Sequence, residues 1–116
     1  MRGYFAIGAE GISKPMNLGA LMRTAHAFGS SFVFSVNAAD KIRNVYKADT
    51  SKSFEHVPYY QWDTIGDMAL PKGCALVGVE LTDDAVDLPS FRHPTAAAYV
   101  LGRERGSLTP EMVEKC

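Results

Sequence analysis

YFAIGAEGISKPMNLGALMRTAHAFGSSFVFSV, running from Tyr4 to Val36, is the stretch whose reading decides the fold. Tyr4-Phe5-Ala6-Ile7-Gly8 is a short apolar run closed by Gly8 and Gly11, the pattern of a buried strand. The turn from Gly11 to Pro15 sets a proline near a helix start, where its missing N–H costs nothing. From Met16 to Phe28 the residues Leu18, Leu21, Met22, Ala25 and Phe28 recur at three- and four-residue intervals, which gives one apolar helix face. Gly29 then stands where a helix commonly ends in a left-handed residue. Phe32-Val33-Phe34-Ser35-Val36 follows at once as a second strand. A helix between two nearly continuous apolar strands predicts a parallel sheet covered on both faces.

The rest of the chain repeats the alternation. Residues 37–54 are polar and mixed, and read as a loop with one helical turn around Asp40–Tyr46. Val57–Tyr60 reads as a short strand, with Pro58 placing it at a sheet edge. Trp62–Leu70 reads as a short amphipathic helix, and Pro71-Lys72-Gly73 turns the chain into a strand over Cys74–Glu80. A connection over Asp83–Pro94 leads to a fifth strand, Ala96–Leu101, and then to a glycine-bearing turn over Gly102–Gly106. Thr109-Pro110-Glu111 starts a last helix: a threonine that can cap, a proline suited to the first position, and an acid at the positive dipole end. The fold class is therefore α/β, one domain over residues 1–116. In such sheets ligands bind beyond the carboxyl ends of the strands, which points to Glu10–Asn17, Asn37–Lys52, Glu80–Asp84 and Gly102–Leu108.

Composition narrows the setting. Hydrophobic residues make up 47% and charged residues 22%, the balance of an ordinary globular protein. The longest apolar runs fall far short of the ~20 residues that a bilayer requires, and Met1–Glu10 is too soon interrupted for a signal peptide. Cys74 lies within an apolar strand pattern and Cys116 is the last residue, so the two suggest no disulfide framework. Both facts point to a cytoplasmic protein. The formal net charge is −1, but residues 1–53 carry seven Lys/Arg against three Asp/Glu, and residues 54–116 five against ten. Local positive charge is what phosphate rewards, so the basic half, with Lys41, Arg43, Lys47 and Lys52, is the candidate nucleic-acid face. A solvated surface of no partner carries the same pattern equally well.

Two segments carry chemistry. Asn17-Leu18-Gly19-Ala20-Leu21-Met22-Arg23-Thr24-Ala25 opens the first helix, and places an arginine in its middle among apolar neighbours. Such an arginine either snorkels to solvent or is aimed at an anion. Leu101-Gly102-Arg103-Glu104-Arg105-Gly106-Ser107-Leu108 ends a strand in glycines that let backbone approach a ligand. It is not a P-loop, because no Gly-Lys-Ser/Thr is present, and its charges also fit a solvated run.

In this order, with Asn17 and Gly102 85 positions apart, the pair resembles the first two signature motifs of the SpoU/TrmH family within the SPOUT methyltransferases. Asn17, Gly19, Arg23 and Ala25 meet the first motif. Leu101, Gly102 and Glu104 match the second, with Gly106 and Leu108 each one residue off its strictest spacing. The resemblance implies a Rossmann-like parallel sheet whose C-terminal part is tied in a trefoil knot, S-adenosylmethionine as methyl donor, and a homodimer. It also implies methyl transfer to a ribose 2′-hydroxyl of tRNA or rRNA. By that resemblance Arg23 and Asn17 are catalytic, Leu81, Thr82, Gly102, Glu104, Gly106 and Leu108 line the cofactor pocket, and Lys41, Arg43 and Lys47 meet RNA. No metal is implied. The family's third motif, a strand and a Ser/Asn-Val segment opening the last helix, has no counterpart in the 116 residues, so the knot portion is expected to be missing or incomplete. Two other readings of the same residues are a non-catalytic RNA-binding module and a phosphate-binding α/β domain.

Overall fold

The computed structural model describes residues 3–38, 57–79, 95–102 and 108–116. Five strands form one parallel sheet: β1 (Tyr4–Glu10), β2 (Val33–Val36), β3 (Tyr59–Trp62), β4 (Ala75–Val79) and β5 (Ala96–Leu101), in the spatial order β3-β2-β1-β5-β4. Helix α1 (Pro15–Ala27) follows β1, and helix α2 (Pro110–Lys115) ends the chain. The α/β class and all five expected strands are present.

Alternation along β1 sorts the core into two layers. Ile7 and Ala9 face α1, where Leu18, Met22 and Ala25 pack with Val33, Val57 and Tyr59. Tyr4 and Ala6 face the other way, into a second layer of Phe32, Phe34, Val36, Ile65, Val100, Leu108 and Met112. Gly8 belongs to that second face, and the reason for glycine is spatial: a Cβ there would stand 2.2 Å from the Phe34 ring. Gly78 of β4 is likewise overlaid by Leu108, whose Cδ1 would lie 2.9 Å from an added Cβ. The second layer also stacks aromatics from β2 and β3, with Tyr60 and Trp62 nearly parallel at 6.1 Å and Phe34 against Trp62 at 5.6 Å. One polar pair is buried on the α1 side, where Ser35 Oγ and Tyr59 Oη lie 2.7 Å apart and satisfy each other.

Helix α1 begins at Pro15 and stops where the sequence says it must. Gly29 has φ 75°, its N–H donates to the His26 carbonyl at 3.2 Å, and the Ser30 N–H donates to the Ala25 carbonyl at 2.8 Å. Those two bonds are the Schellman pattern that satisfies the last helical carbonyls. Pro58 precedes β3, an outer strand in the order above, as its missing donor requires.

Two expectations need correction. The first strand does not end at Gly8 but runs to Glu10, pairing with β2 as far as Val36. The helix expected over Trp62–Leu70 is not formed: Trp62 completes β3, and only a 3₁₀ turn at Ile65–Asp67 follows. Pairing of Val33–Val36 with Tyr59–Trp62 holds Trp62 extended. Thr64 Oγ1 then accepts from the Asp67 N–H at 3.3 Å and closes the single turn. Met68 leaves that turn in extended conformation, and Met68 and Leu70 reach the second layer without helical spacing.

Candidate functional site

In the order β3-β2-β1-β5-β4 the strands β1 and β5 are neighbours. The chain leaves β1 toward α1 on one face of the sheet, and it ends in α2 on the other. A crevice therefore opens beyond the carboxyl ends of these two strands, the ordinary ligand position in an open parallel sheet. Glu10 ends β1 there. Ala9 is in register with Leu101, so Gly102 leaves the sheet beside Glu10.

Asn17 and Arg23 both sit on α1 but do different things. Asn17 is half-buried and forms part of the wall of an apolar groove of about 610 Å³ between α1 and the β1-β5-β4 face. Ala20, Leu21 and Thr24 line the helix side of that groove, and Phe5, Ile7, Tyr99, Leu101 and Val79 line the sheet side. Arg23 is exposed, outside the groove wall. Its guanidinium folds back along the helix over Gly19, with Nη1 3.4 Å from where a Cβ of residue 19 would stand. Gly19 thus leaves a smooth surface on which the cation lies one turn nearer the helix start. Burial pushes the Tyr99 phenol above its usual pKa, so the groove keeps a neutral hydroxyl.

Gly102 is half-buried at the end of β5, as a backbone contact to a ligand requires. Leu108 is buried, and its side chain packs in the second layer beneath β4 and β5. Any ligand contact from Leu108 must therefore come from its backbone. Leu81, Thr82, Glu104 and Gly106, and the basic residues Lys41, Arg43, Lys47 and Lys52, lie outside the described residues.

One functional-looking residue escapes the sequence reading. Glu10 is 2% exposed, and its carboxylate accepts from the Thr109 N–H at 2.8 Å and from the Thr109 hydroxyl at 2.6 Å. Thr109 is the expected cap of α2, its Oγ1 accepting from the Met112 N–H at 3.3 Å. The signal that could have exposed Glu10 is a charged residue placed where strand alternation continues toward the core: Tyr4, Ala6, Gly8 and Glu10 share one face.

A parallel five-stranded sheet with its crevice at β1 and β5, and with an Asn–Gly–Arg series along the adjoining helix, defines a Rossmann-like α/β domain. The chain belongs to the SpoU rRNA Methylase family, which it matches over residues 4–116. It is 29% identical over 106 residues to the tRNA (guanosine(18)-2′-O)-methyltransferase of Escherichia coli strain K12, covering 88% of this chain and 45% of that protein. The chain spans a little under half the length of that relative. Among solved structures it resembles the AdoMet-bound rRNA methyltransferase from Sinorhizobium meliloti, with a TM-score of 0.79 and 22% identity over 98% of this chain and 45% of that one. It also resembles the SpoU methyltransferase AviRb from Streptomyces viridochromogenes, with a TM-score of 0.78 and 19% identity over 100% of this chain and 48% of that one. At these identities the structural likeness speaks for the fold, which is that of the SpoU enzymes.

Proposed function

We propose that this chain is a catalytic portion of an S-adenosylmethionine-dependent RNA methyltransferase that modifies a ribose 2′-hydroxyl, with tRNA as the preferred substrate and rRNA as the alternative. The observation that carries the reading is Asn17 and Arg23 on one helix beside the β1–β5 crevice, within a family match running from residue 4 to 116. The E. coli relative, by its name, methylates a tRNA ribose, which favours tRNA.

S-adenosylmethionine, when bound, supplies a methyl group made electrophilic by its sulfonium. The described part of the cofactor segment fits such a group: a half-buried Gly102 leaves β5 at the crevice, and a capped helix start returns at Thr109. Gly102, with Leu81, Thr82, Glu104, Gly106 and the Leu108 backbone, would hold it. A ribose hydroxyl is a poor nucleophile and needs electrostatic help as its proton leaves. Arg23 presents an exposed guanidinium that orients the neighbouring phosphate and stabilises charge developing on that oxygen. A guanidinium gives up its proton so reluctantly that it is a poor base. Asn17 offers both a donor and an acceptor at the groove wall, suited to steadying the ribose or its nucleotide. Lys41, Arg43 and Lys47 would add phosphate contacts. The family's homodimer has support in the apolar groove and in Met16 and Phe28, which are 75% and 73% exposed at the two ends of α1. No helix among the described residues is long and apolar enough to cross a membrane, and an RNA substrate fits a cytoplasmic place of action.

The test is a calorimetric titration of the purified chain with S-adenosylhomocysteine, followed by transfer of a labelled methyl group to tRNA. Arg23→Ala should lower methyl transfer by roughly 100-fold or more, as removal of a charge-stabilising donor does. It should leave S-adenosylhomocysteine affinity nearly unchanged and stability within about 0.5 kcal/mol, the range for exposed positions. A wild-type rate in Arg23→Ala would remove the arginine from the mechanism. A folded wild-type chain that binds no S-adenosylhomocysteine would overturn the methyltransferase reading for this chain.

A further inference from the structure

We propose that Glu10 is a positioning residue that brackets both ends of the cofactor segment, an inference that rests on the methyltransferase reading above. Two observations meet at this side chain. Ala9 pairs with Leu101, so the chain leaves the sheet at Gly102 beside Glu10. After residues 103–107 it comes back to Thr109, whose N–H and hydroxyl both donate to the Glu10 carboxylate, at 2.8 and 2.6 Å. One residue of β1 thus adjoins the exit of the segment through the sheet and holds its return through hydrogen bonds.

Glu10 is itself held. Its strand is paired on both sides, to β2 and to β5, and the next residue, Gly11, donates its N–H to the Val36 carbonyl at 2.8 Å. Glu10 is 2% exposed, so water offers little substitute for its two donors. Thr109 is equally constrained, because the hydroxyl that donates to Glu10 accepts from Met112 and starts α2. Thr109 is therefore held by a strand residue 99 positions earlier in the chain. Glu10 also stands one short turn before α1, which carries Asn17 and Arg23. On the methyltransferase reading it thereby sets the spacing between the cofactor segment and α1.

A glutamine at position 10 keeps the shape but offers one acceptor oxygen where the carboxylate offers two. Replacing Thr109 by valine removes the hydroxyl and keeps the backbone N–H. Calorimetry with S-adenosylhomocysteine, well below the melting midpoint of every variant, separates positioning from mere stability. The expected result is a loss of affinity of about tenfold or more in Glu10→Gln, the scale of a lost hydrogen bond to a charged group. Thr109→Val should lose several-fold and Thr109→Ser should stay within about twofold, because serine retains both donors. Met112→Ala loosens α2 from the core without touching the carboxylate, and it should bind within about twofold of wild type despite lower stability. Unchanged affinity in Glu10→Gln, or an equal loss in Met112→Ala, overturns the positioning role. A wild-type chain that binds nothing overturns the methyltransferase reading and this inference with it.

Discussion

The α1-side face of the sheet has two halves of similar sequence character and opposite fate. Over β2, β3 and the end of β1, α1 seals the strands: Leu18, Met22 and Ala25 are buried against Ala9, Val33, Val57 and Tyr59. Over β5 and β4, Tyr99, Leu101 and Val79 are just as apolar, yet they line an open groove, with Leu101 38% exposed. Apolar alternation tells a strand to be covered. It does not say by what. Among the described residues the difference lies across α1 itself, which turns Leu18, Met22 and Ala25 into the sealed core and Asn17, Ala20, Leu21 and Thr24 toward the groove.

Three substitutions sharpen or break that contrast. Met22→Ala, in the sealed half, should cost about 2–5 kcal/mol in denaturant unfolding, because a fully buried side chain leaves a cavity among fixed neighbours. Gly29→Ala should cost roughly 1–2 kcal/mol, since the residue sits at φ 75° where a Cβ is strained. Space is not the issue there, as nothing lies within 4 Å of an added Cβ. A loss near zero would mean that α1 can end another way. Leu101→Ser, in the open half, should cost less than about 1 kcal/mol when measured at low protein concentration. Sedimentation of that variant would also report on self-association through the groove. A loss as large as that of Met22→Ala would show that the groove is filled in solution, and the contrast between halves would fall.

The site divides along the same line between local and distant signals. Asn17, Gly19 and Arg23 were legible because helical spacing sets them along one element, and the resemblance to the family rests on that spacing. The arrangement of the Arg23 guanidinium over Gly19 follows from the same four-residue interval. Thr109 was legible as a cap from its neighbours Pro110 and Glu111 alone. Glu10 was not, because its partner is 99 positions away and a carboxylate near a glycine reads as a turn. Leu108, read as part of the cofactor wall, turns its side chain into the core over Gly78, a contact between segments that no local pattern records.

The Trp62–Leu70 segment shows how a local pattern can be overruled. Its apolar positions suit a short helix, but strand pairing with Val33–Val36 and the stack of Trp62 on Tyr60 and against Phe34 stabilise extended backbone. A helix of fewer than ~12 residues has little stability of its own, so it yields to a sheet that offers pairing and burial together.

What the sequence by itself determined is the set of strands, the principal helix with its glycine stop, the capped start of the last helix and the motif spacing. Each depends on residues within a few positions, where steric and hydrogen-bonding rules act directly. Only the tertiary structure decided which half of the face is sealed, where Leu108 points, and that Glu10 meets Thr109. Those depend on strand order, which brings β1 beside β5 and makes neighbours of residues that the chain keeps far apart.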